Sequence, residues 1–515
     1  MTFNNNCNIR VASAFNLIME RNLTAFSSLL LLGTFAGCTP DNKPSEKNGD
    51  NTVRPNVLFI LADDQRADAL GCAGNSYIRT PNIDSLAGNG VRFRNAYVMG
   101  GHHGAISAPS RAMLLSGKHL FNVYDKLDGV TTMPMLFGAN GYETFGTGKW
   151  HNEKSAFEKS FRKAENVYLG GMANHFSVAC RNMGPDGILS EPEMKGFSTD
   201  VFAGSAIDFI TDYANGSRVN PFFCYVAFTV PHDPYSPKPG FIDSYPDQSL
   251  PLPGNYMPLH PFQFDDLTVR DENLLDWPRE PEKVRSVLSD YYALITHLDK
   301  AVGDLIATLK KNGLYDNTII VYAADNGLAA GSHGLLGKQN LYEHSMKVPL
   351  IIAGPGIPEE KISDAFVYLF DMFPTLAELC KVKVPVDLDG KSLIPVISGE
   401  SEGVRSSLFT AYRHTVRAVR TKEWKLIRYP ERDFSQLFNL VADPLELNNL
   451  AEEGLYKSRV DELTVLMQEW QRELRDNAPL TAAKILPLQY DHTKLVREPD
   501  QWQPEYTQKK YFDKK

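Results

Sequence analysis

The chain has 515 residues, 43% of them hydrophobic and 22% charged, with 62 Asp and Glu against 53 Lys and Arg and a formal net charge of −9. This composition excludes a fibrous or wholly disordered chain, and an acidic balance without a clustered basic face excludes a general nucleic-acid binder. At this length one large domain with a smaller companion is expected.

Residues 23–37 (LTAFSSLLLLGTFAG) form an apolar run behind Arg21 that is short for a membrane span and ends in Ala36-Gly37-Cys38. Small residues ahead of a cysteine resemble a bacterial lipobox, with Phe35 where Leu is usual. Residues 1–38 are therefore read as a signal peptide and lipid-attachment site, made compact if Met19 is the true start. Residues 39–53 are polar and rich in turn formers, as a flexible tether would be. The expected product is an exported lipoprotein of a Gram-negative bacterium, periplasmic or at the outer surface, that meets the membrane only through its lipid. Cys72, Cys180, Cys224 and Cys380 are scattered without metal-ligand spacing, and Cys224 lies in the apolar run PFFCYVAF as a buried small hydrophobe.

The run VLFILA at 57–62 reads as a strand buried on both faces, and similar runs follow at 222–230, 318–324 and, shorter, 348–353. Between them, residues 287–311 place Leu294, Leu298, Val302, Leu305 and Leu309 on one helical face, ended by Asn312-Gly313. This alternation predicts an α/β fold, a large, mostly parallel sheet flanked by helices, with functional groups at the carboxyl ends of strands. After residue 400, the short segments over 408–429 predict a small antiparallel sheet. Residues 457–475 predict an amphipathic helix with Val460, Leu463, Met467, Trp470 and Leu474 on one face. The expected division is a main domain at 54–400, a C-terminal subdomain at 401–480 and a tail at 481–515 without a period.

Segment 107–117, SAPSRAMLLSG, holds Pro109 and small residues that suit a turn entering a helix, with Ser107 at a helix N-terminus where negative charge is favoured. Alone, it can also be read as an ordinary cap with Ser107 as the capping residue, the lesser of the two readings. Asp63-Asp64 and Asp325-Asn326 each follow a buried strand and offer oxygen ligands to a hard cation, although either pair alone also suits a turn or cap. Gly148-Lys149-Trp150-His151 sets an ammonium two residues from an imidazole. His232, between Pro231 and Asp233-Pro234 after a strand, is placed for proton transfer near neutral pH. A loop at 332–338, SHGLLGK, ends in Lys338, with His333 shaping it.

Together these motifs resemble the type I, formylglycine-dependent sulfatases of the alkaline phosphatase superfamily, in the serine-type bacterial form, and FNL at 438–440 with Asp443-Pro444, Glu446 and Asn449-Leu450 extends the resemblance from about residue 54 to about residue 475. The resemblance implies an alkaline-phosphatase-like fold with a C-terminal antiparallel sheet and helix. It implies Ca2+ held by Asp63, Asp64, Asp325 and Asn326 together with residue 107, whose serine would be converted to formylglycine (3-oxoalanine). One hydroxyl of the aldehyde hydrate would attack sulfur and the other would expel sulfate by re-forming the aldehyde. Arg111, Lys149 and Lys338 would supply positive field, His232 with Lys338 would serve the leaving alcohol, and His151 the collapse step. Serine rather than cysteine at 107 implies a radical-based anaerobic sulfatase-maturating enzyme as partner, and an anaerobic host. The implied substrate is a sulfated carbohydrate attacked in exo fashion. DDQR and GGMANHF look like galactose-sulfatase relatives, which favours sulfated galactose or N-acetylgalactosamine, with Arg66, His102, His103 and His175 as sugar contacts. Two other readings are weighed. A phosphatase or phosphodiesterase of the same superfamily would need a second metal cluster that the sequence lacks. A catalytically dead glycan-binding lipoprotein would be free to lose positions that are all filled here by competent residues.

Overall fold

The computed structural model describes residues 54–512, apart from 265, 386 and 500; the expected signal peptide, Cys38 and the whole of the tether lie outside the described residues. The chain begins with β1 (Asn56–Asp63), α1 (Pro81–Gly88), β2 (Gly90–Tyr97), β3 (Gly100–Gly101) and α2 (Ser107–Ser116). It continues through α3 (Met133–Ala139), β4 (Glu143–Lys149), α4 (Lys154–Ser160), β5 (Lys163–Tyr168), β6 (Val178–Cys180), β7 (Glu193–Lys195), α5 (Ser198–Asn215) and β8 (Phe222–Pro231). Then come α6 (Pro281–Lys311), β9 (Thr318–Ala324), α7 (Glu343–Met346), β10 (Lys347–Val348), β11 (Leu350–Ala353), β12 (Lys361–Tyr368), α8 (Met372–Leu379) and α9 (Ile394–Ser398). The last elements considered are β13 (Ser407–Tyr412), β14 (Val416–Thr421), β15 (Trp424–Tyr429), β16 (Phe434–Asn439) and α10 (Lys457–Leu474).

Every residue of β1, β8 and β9 is buried. That is why these strands read as continuous apolar runs rather than alternating ones: both faces of the sheet are covered. β1 pairs in parallel with β9 on one side and β8 on the other, and β4 and β5 extend the parallel run beyond β8. On the far side of β9, β11 runs antiparallel to both β9 and β2, and β12 lies parallel to β2. The large sheet is thus mixed, with β10, also antiparallel to β2, and β11 reversed. The apolar run expected at 348–353 is split into β10 and β11 at Pro349, which has no N–H for the ladder. Helix α6 begins at Pro281, six residues before its expected start, because proline suits the first helical turn and Val284 and Val287 already face the core. The four cysteines named above are free. Among the described residues, no helix is long and apolar enough to cross a membrane.

The smaller sheet is an antiparallel meander of β13 to β16, with α10 against it. Its edge takes up β3, where Ala411 N donates to Met99 O and Arg413 N to Gly101 O. This attaches the small sheet to the segment that leads into α2. The aperiodic tail also has a place. Arg497 pairs with Asp276 and donates to Leu274 O, while Lys510 and Tyr511 donate to the buried Asp290 of α6 at 3.0 and 2.6 Å.

Candidate active site

Four neighbouring parallel strands, in the order β9, β1, β8, β4, end along one edge of the large sheet. Each hands over a polar group as its apolar run stops: Asp325-Asn326 after β9, Asp63-Asp64 at the end of β1, His232 after β8 and Lys149 at the end of β4. All are buried. Positioning them requires unusual backbone. Asp64 and His151 lie in the left-handed region, at φ 63° and 65°, a conformation that costs a non-glycine residue on the order of 1–3 kcal/mol and clusters at functional sites. Gly148, at φ 90°, precedes Lys149 where any Cβ would lie 1.9 Å from Ala227 O, so only glycine permits this turn.

Helix α2 points its N-terminus at the same edge. Ser107 is its first residue, Ile106 occupies the cap position, and the Ser107 hydroxyl caps no backbone N–H. It instead accepts from Lys338 Nζ at 3.0 Å and Asn326 Nδ2 at 3.2 Å, and donates to Asp63 Oδ1 at 3.5 Å. The ordinary-cap reading of this serine therefore falls. The next two motif positions fasten the helix: Ser110 Oγ donates to Asp325 O at 2.6 Å, and Arg111 donates from Nε to Asp325 Oδ2 at 2.8 Å and from Nη1 to Lys149 O at 2.6 Å. Arg111 is fully buried, with Nη2 3.7 Å from Asp63 Oδ1. It ties β4 to β9 beneath the site.

Two ammonium groups face the carboxylates. Lys149 pairs with Asp63, and Lys338 Nζ lies 2.6 Å from both Asp64 oxygens. Burial raises Asp63, but Lys149, His232, Arg111 and Lys338 together outweigh it and hold its carboxyl far below the usual range. Asp64 goes the other way: burial prevails over Lys338 and His232 and pushes it up to about 6. Burial, with Lys149 close by, keeps the His151 imidazole well below its ordinary range and so uncharged at neutral pH. For His232, burial and Lys338 oppose charging, yet Asp64 and Asp63 prevail and raise it. Its Nδ1 sits 2.7 Å from Asp233 O and 2.9 Å from Asp233 Oδ1, leaving Nε2, 3.5 Å from Asp64 Oδ2, towards the site.

Donor atoms of Asp63, Asp64 and His232 lie within 4.8 Å of one another. The Oδ1 of Asn326 is buried without a hydrogen-bond partner, an acceptor left open in a cluster otherwise rich in carboxylate oxygen. These residues fit a divalent cation that prefers oxygen ligands.

A cavity of about 330 Å³ opens over Ser107, His151, His232 and Lys338. Its rim comes from Gly171, Met172, Arg270, Asp271 and Gln339. The four residues expected to touch the sugar are engaged elsewhere. The Arg66 guanidinium bonds Asp68, Leu328 O, Ala329 O and Ser332 Oγ, bracing the loop after Asn326. His102 contacts Leu120 O, and the exposed His103 pairs with Asp125. His175 is buried under the site, its Nε2 2.8 Å from His232 O and its Nδ1 near Thr229 and Ser198, where burial lowers it to about 4. Sequence reasoning missed the rim pair Arg270-Asp271, which sits in an aperiodic stretch without any signal. It also missed Asp233, which holds His232 and accepts a bidentate pair from Arg270, although its place inside the PHDP motif could have marked it.

Comparison with known proteins agrees with this geometry. N-acetylglucosamine-6-O-sulfatase of Bacteroides thetaiotaomicron is 28% identical over 90% of this chain and 93% of its own length, and the ulvan-active sulfatase of Formosa agariphila is 28% identical over 89% of each. A protein solved in complex with its substrate D-glucosamine-2-N,6-O-disulfate superposes with a TM-score of 0.70 at 27% identity, covering 83% of this chain and 99% of that one. The model for the C-terminal part of N-sulphoglucosamine sulphohydrolase matches residues 331–473. The sulfatase model matches residues 55–382, well over half the sequence and every strand end described above, so the chain belongs to the sulfatase family and is a sulfuric ester hydrolase.

Proposed function

We propose that this chain is an exo-acting carbohydrate sulfatase that works with a formylglycine at position 107 and calcium. The observation that carries this reading is the contact of Asp63, Asn326 and Lys338 with the buried oxygen of Ser107 at the tip of α2, inside a cluster that Asp64, Asp325, Lys149 and His232 complete through Asp63, Lys338 and Arg111. The cavity of about 330 Å³, at the small end of ligand pockets, favours one terminal sugar over the middle of a chain.

Formylglycine, as an aldehyde hydrate, would supply one oxygen to attack sulfur and a second to release it. Asp63, Asp64, Asp325 and Asn326 would hold calcium, which supplies positive charge opposite the sulfate. The remaining work belongs to side chains of this chain. Lys149 and Lys338 orient the sulfate oxygens and stabilise the charge that grows on them. His232, whose charged form is favoured, gives a proton from Nε2 to the departing sugar oxygen. His151, kept neutral, accepts one. Arg111 positions α2 and Asp325 from below.

Serine at 107 supports maturation by an anaerobic radical enzyme. After co-expression with such an enzyme, the peptide containing residue 107 is expected two hydrogens lighter than serine, and a fully active enzyme with unmodified Ser107 would overturn the mechanism. Gly171 and Met172 of GGMANHF reach the rim, whereas Arg66 and His175 do not. The sugar is therefore assigned as a sulfated hexose or N-acetylhexosamine. A panel of defined sulfated galactose, N-acetylgalactosamine and N-acetylglucosamine isomers tests it, and release of phosphate but not sulfate from paired aryl esters would favour the phosphatase reading. Export as a lipid-anchored protein is part of the proposal, and absence of a lipidated Cys38 in membrane fractions would remove it.

A further inference from the structure

The mouth of the Ser107 cavity carries one carboxylate that the chemistry at Ser107 does not use, that of Asp271. Its place is fixed from both sides. The next residue, Glu272, is buried and accepts Leu336 N and Gly337 N at 2.8 Å each and Arg279 Nη2 at 2.6 Å, which locks this stretch of chain onto the loop that delivers Lys338. On the other side, Gln339 Nε2 donates to Asp271 Oδ2 at 2.7 Å and to Gly104 O at 3.0 Å, tying the carboxylate to the segment that enters α2. The group is held in place by its neighbours before any ligand arrives, with 11% of the side chain exposed.

An ionised carboxylate has about four acceptor positions and no donor. Asp271 uses one on each oxygen, for Arg270 Nη2 at 2.5 Å and for Gln339. Acceptor positions therefore stay open on a group that lines the cavity. Burial raises its titration, but Arg270 and Lys338 prevail and hold it below the usual range, so the group is anionic at neutral pH. Arg270 does not cancel that charge. Its guanidinium also takes Asp233 in a bidentate pair at 2.6 and 3.1 Å, so one cation serves two carboxylates. The cavity is thus polarised: Lys149 and Lys338 stand at the inner end, beside Ser107, whereas the Arg270 side of the mouth carries a surplus of negative charge.

We infer that Asp271 is a specificity-determining residue: its carboxylate accepts a hydroxyl or amide N–H of the sugar whose sulfate lies at Ser107, and its charge turns away the same sugar when a second sulfate or a carboxylate stands at that position. The inference rests on the carbohydrate-sulfatase reading and narrows it to sugars with a single anionic group. A hydroxyl brings the donor that the carboxylate lacks. An anion brings none and is left beside a like charge in a partly desolvated site, which is how an interface rejects a near relative of its proper ligand.

Matured full-length enzyme is assayed on galactose, N-acetylgalactosamine and N-acetylglucosamine monosulfates, each beside the same sugar with a second sulfate at one other position, and loss of the shared sulfate is followed by chromatography of the product. For the best monosulfated sugar, kcat/KM is expected at least tenfold above that of one or more of its doubly sulfated counterparts. Asp271→Asn, which keeps the volume and one acceptor oxygen and removes the charge, is expected to shrink that ratio at least fivefold, mainly by lowering KM for the doubly sulfated sugar. Asp271→Ala is expected to shrink it as well and stands in should the first variant fail to fold. A purely structural disturbance would slow both sugars together and leave the ratio where it was. Equal turnover of single and double sulfates by the parent enzyme, or a ratio that survives both variants, overturns the inference and leaves the carbohydrate-sulfatase reading intact. Turnover of an aryl sulfate but of no sugar overturns that reading, and this inference with it.

Discussion

Replacing Lys338 by methionine separates two contributions of one ammonium. Its Nζ lies 2.6 Å from each Asp64 oxygen and 3.0 Å from Ser107 Oγ, and the residue is 2% exposed. Methionine keeps the length and packing of the stem and deletes the charge with its donors. Asp64, already pushed up to about 6 by burial against the pull of Lys338, then titrates higher and takes up a proton rather than standing as a bare buried charge. The stability loss is therefore expected at about 1–2 kcal/mol, as for one lost hydrogen-bonded partner, rather than the roughly 3–5 kcal/mol of a stranded ion. Catalysis suffers more. A buried donor aimed at developing charge contributes about 3–4 kcal/mol, so kcat/KM should fall by about two to three orders of magnitude. The assay is aryl sulfate turnover by matured enzyme, with calcium titrated to saturation at pH 7 and again at higher pH. The variant should require more calcium, because a protonated Asp64 is a poor ligand, and should stay impaired once saturated. A kcat/KM within about threefold of the parent enzyme, or complete rescue by calcium, would refute the reasoning.

Other perturbations test separate links. Asn326→Leu removes the open Oδ1 and the donor to Ser107 in a similar volume, and calcium affinity measured against a chelator is expected to drop about tenfold or more while the fold persists; an unchanged affinity would take Asn326 out of the ligand set. Gly171→Ala would bring a Cβ to 2.4 Å from His151 Nε2, so kcat is expected to fall about tenfold as the ring is displaced, and an unaltered kcat would show that His151 tolerates movement. Burial lowers His260 to about 3, far below the unfolded value of 6.5, so the unfolded chain binds the proton first and stability falls as pH drops below about 6.5. Between pH 7 and 5 the parent protein should lose about 2 kcal/mol more in urea titrations than His260→Gln, and equal losses would contradict the burial argument.

The reaction was more legible than its setting, and the reason is physical. A strand buried on both faces must be apolar along its length, so VLFILA, FFCYVAFTV and TIIVYAA announce themselves, and the polar residue where each run stops is marked by contrast. Strand order is not written locally. That β9, β1, β8 and β4 are neighbours follows from pairings between segments more than 70 residues apart, and only that order brings Asp325, Asp63, His232 and Lys149 to one edge. Burial also redirected single residues. Arg111 and His175 read as groups that could face a ligand, yet Arg111 spends two of its nitrogens on the Asp325 carboxylate and Lys149 O, and His175 its own on a carbonyl and hydroxyls of the scaffold, and nothing in the flanking sequence distinguishes the two uses.

The rim was illegible for a different reason: it is assembled from aperiodic chain. Residues 260–279 bring Arg270 and Asp271 to the cavity, and the tail pins that stretch through Arg497 on Asp276 and Leu488 O on Gln263 N. Asp233 joins both worlds. Its carboxylate lies 2.9 Å from His232 Nδ1, accepts Arg270 at 2.6 and 3.1 Å, and accepts Gln503 of the tail at 3.4 Å. A loop residue at the rim of the cavity and a histidine whose Nε2 faces it are thus oriented by one buried acid. Change in the 260–279 stretch or the tail can therefore alter which sugar fits while the strand ends, and with them the chemistry, stay fixed.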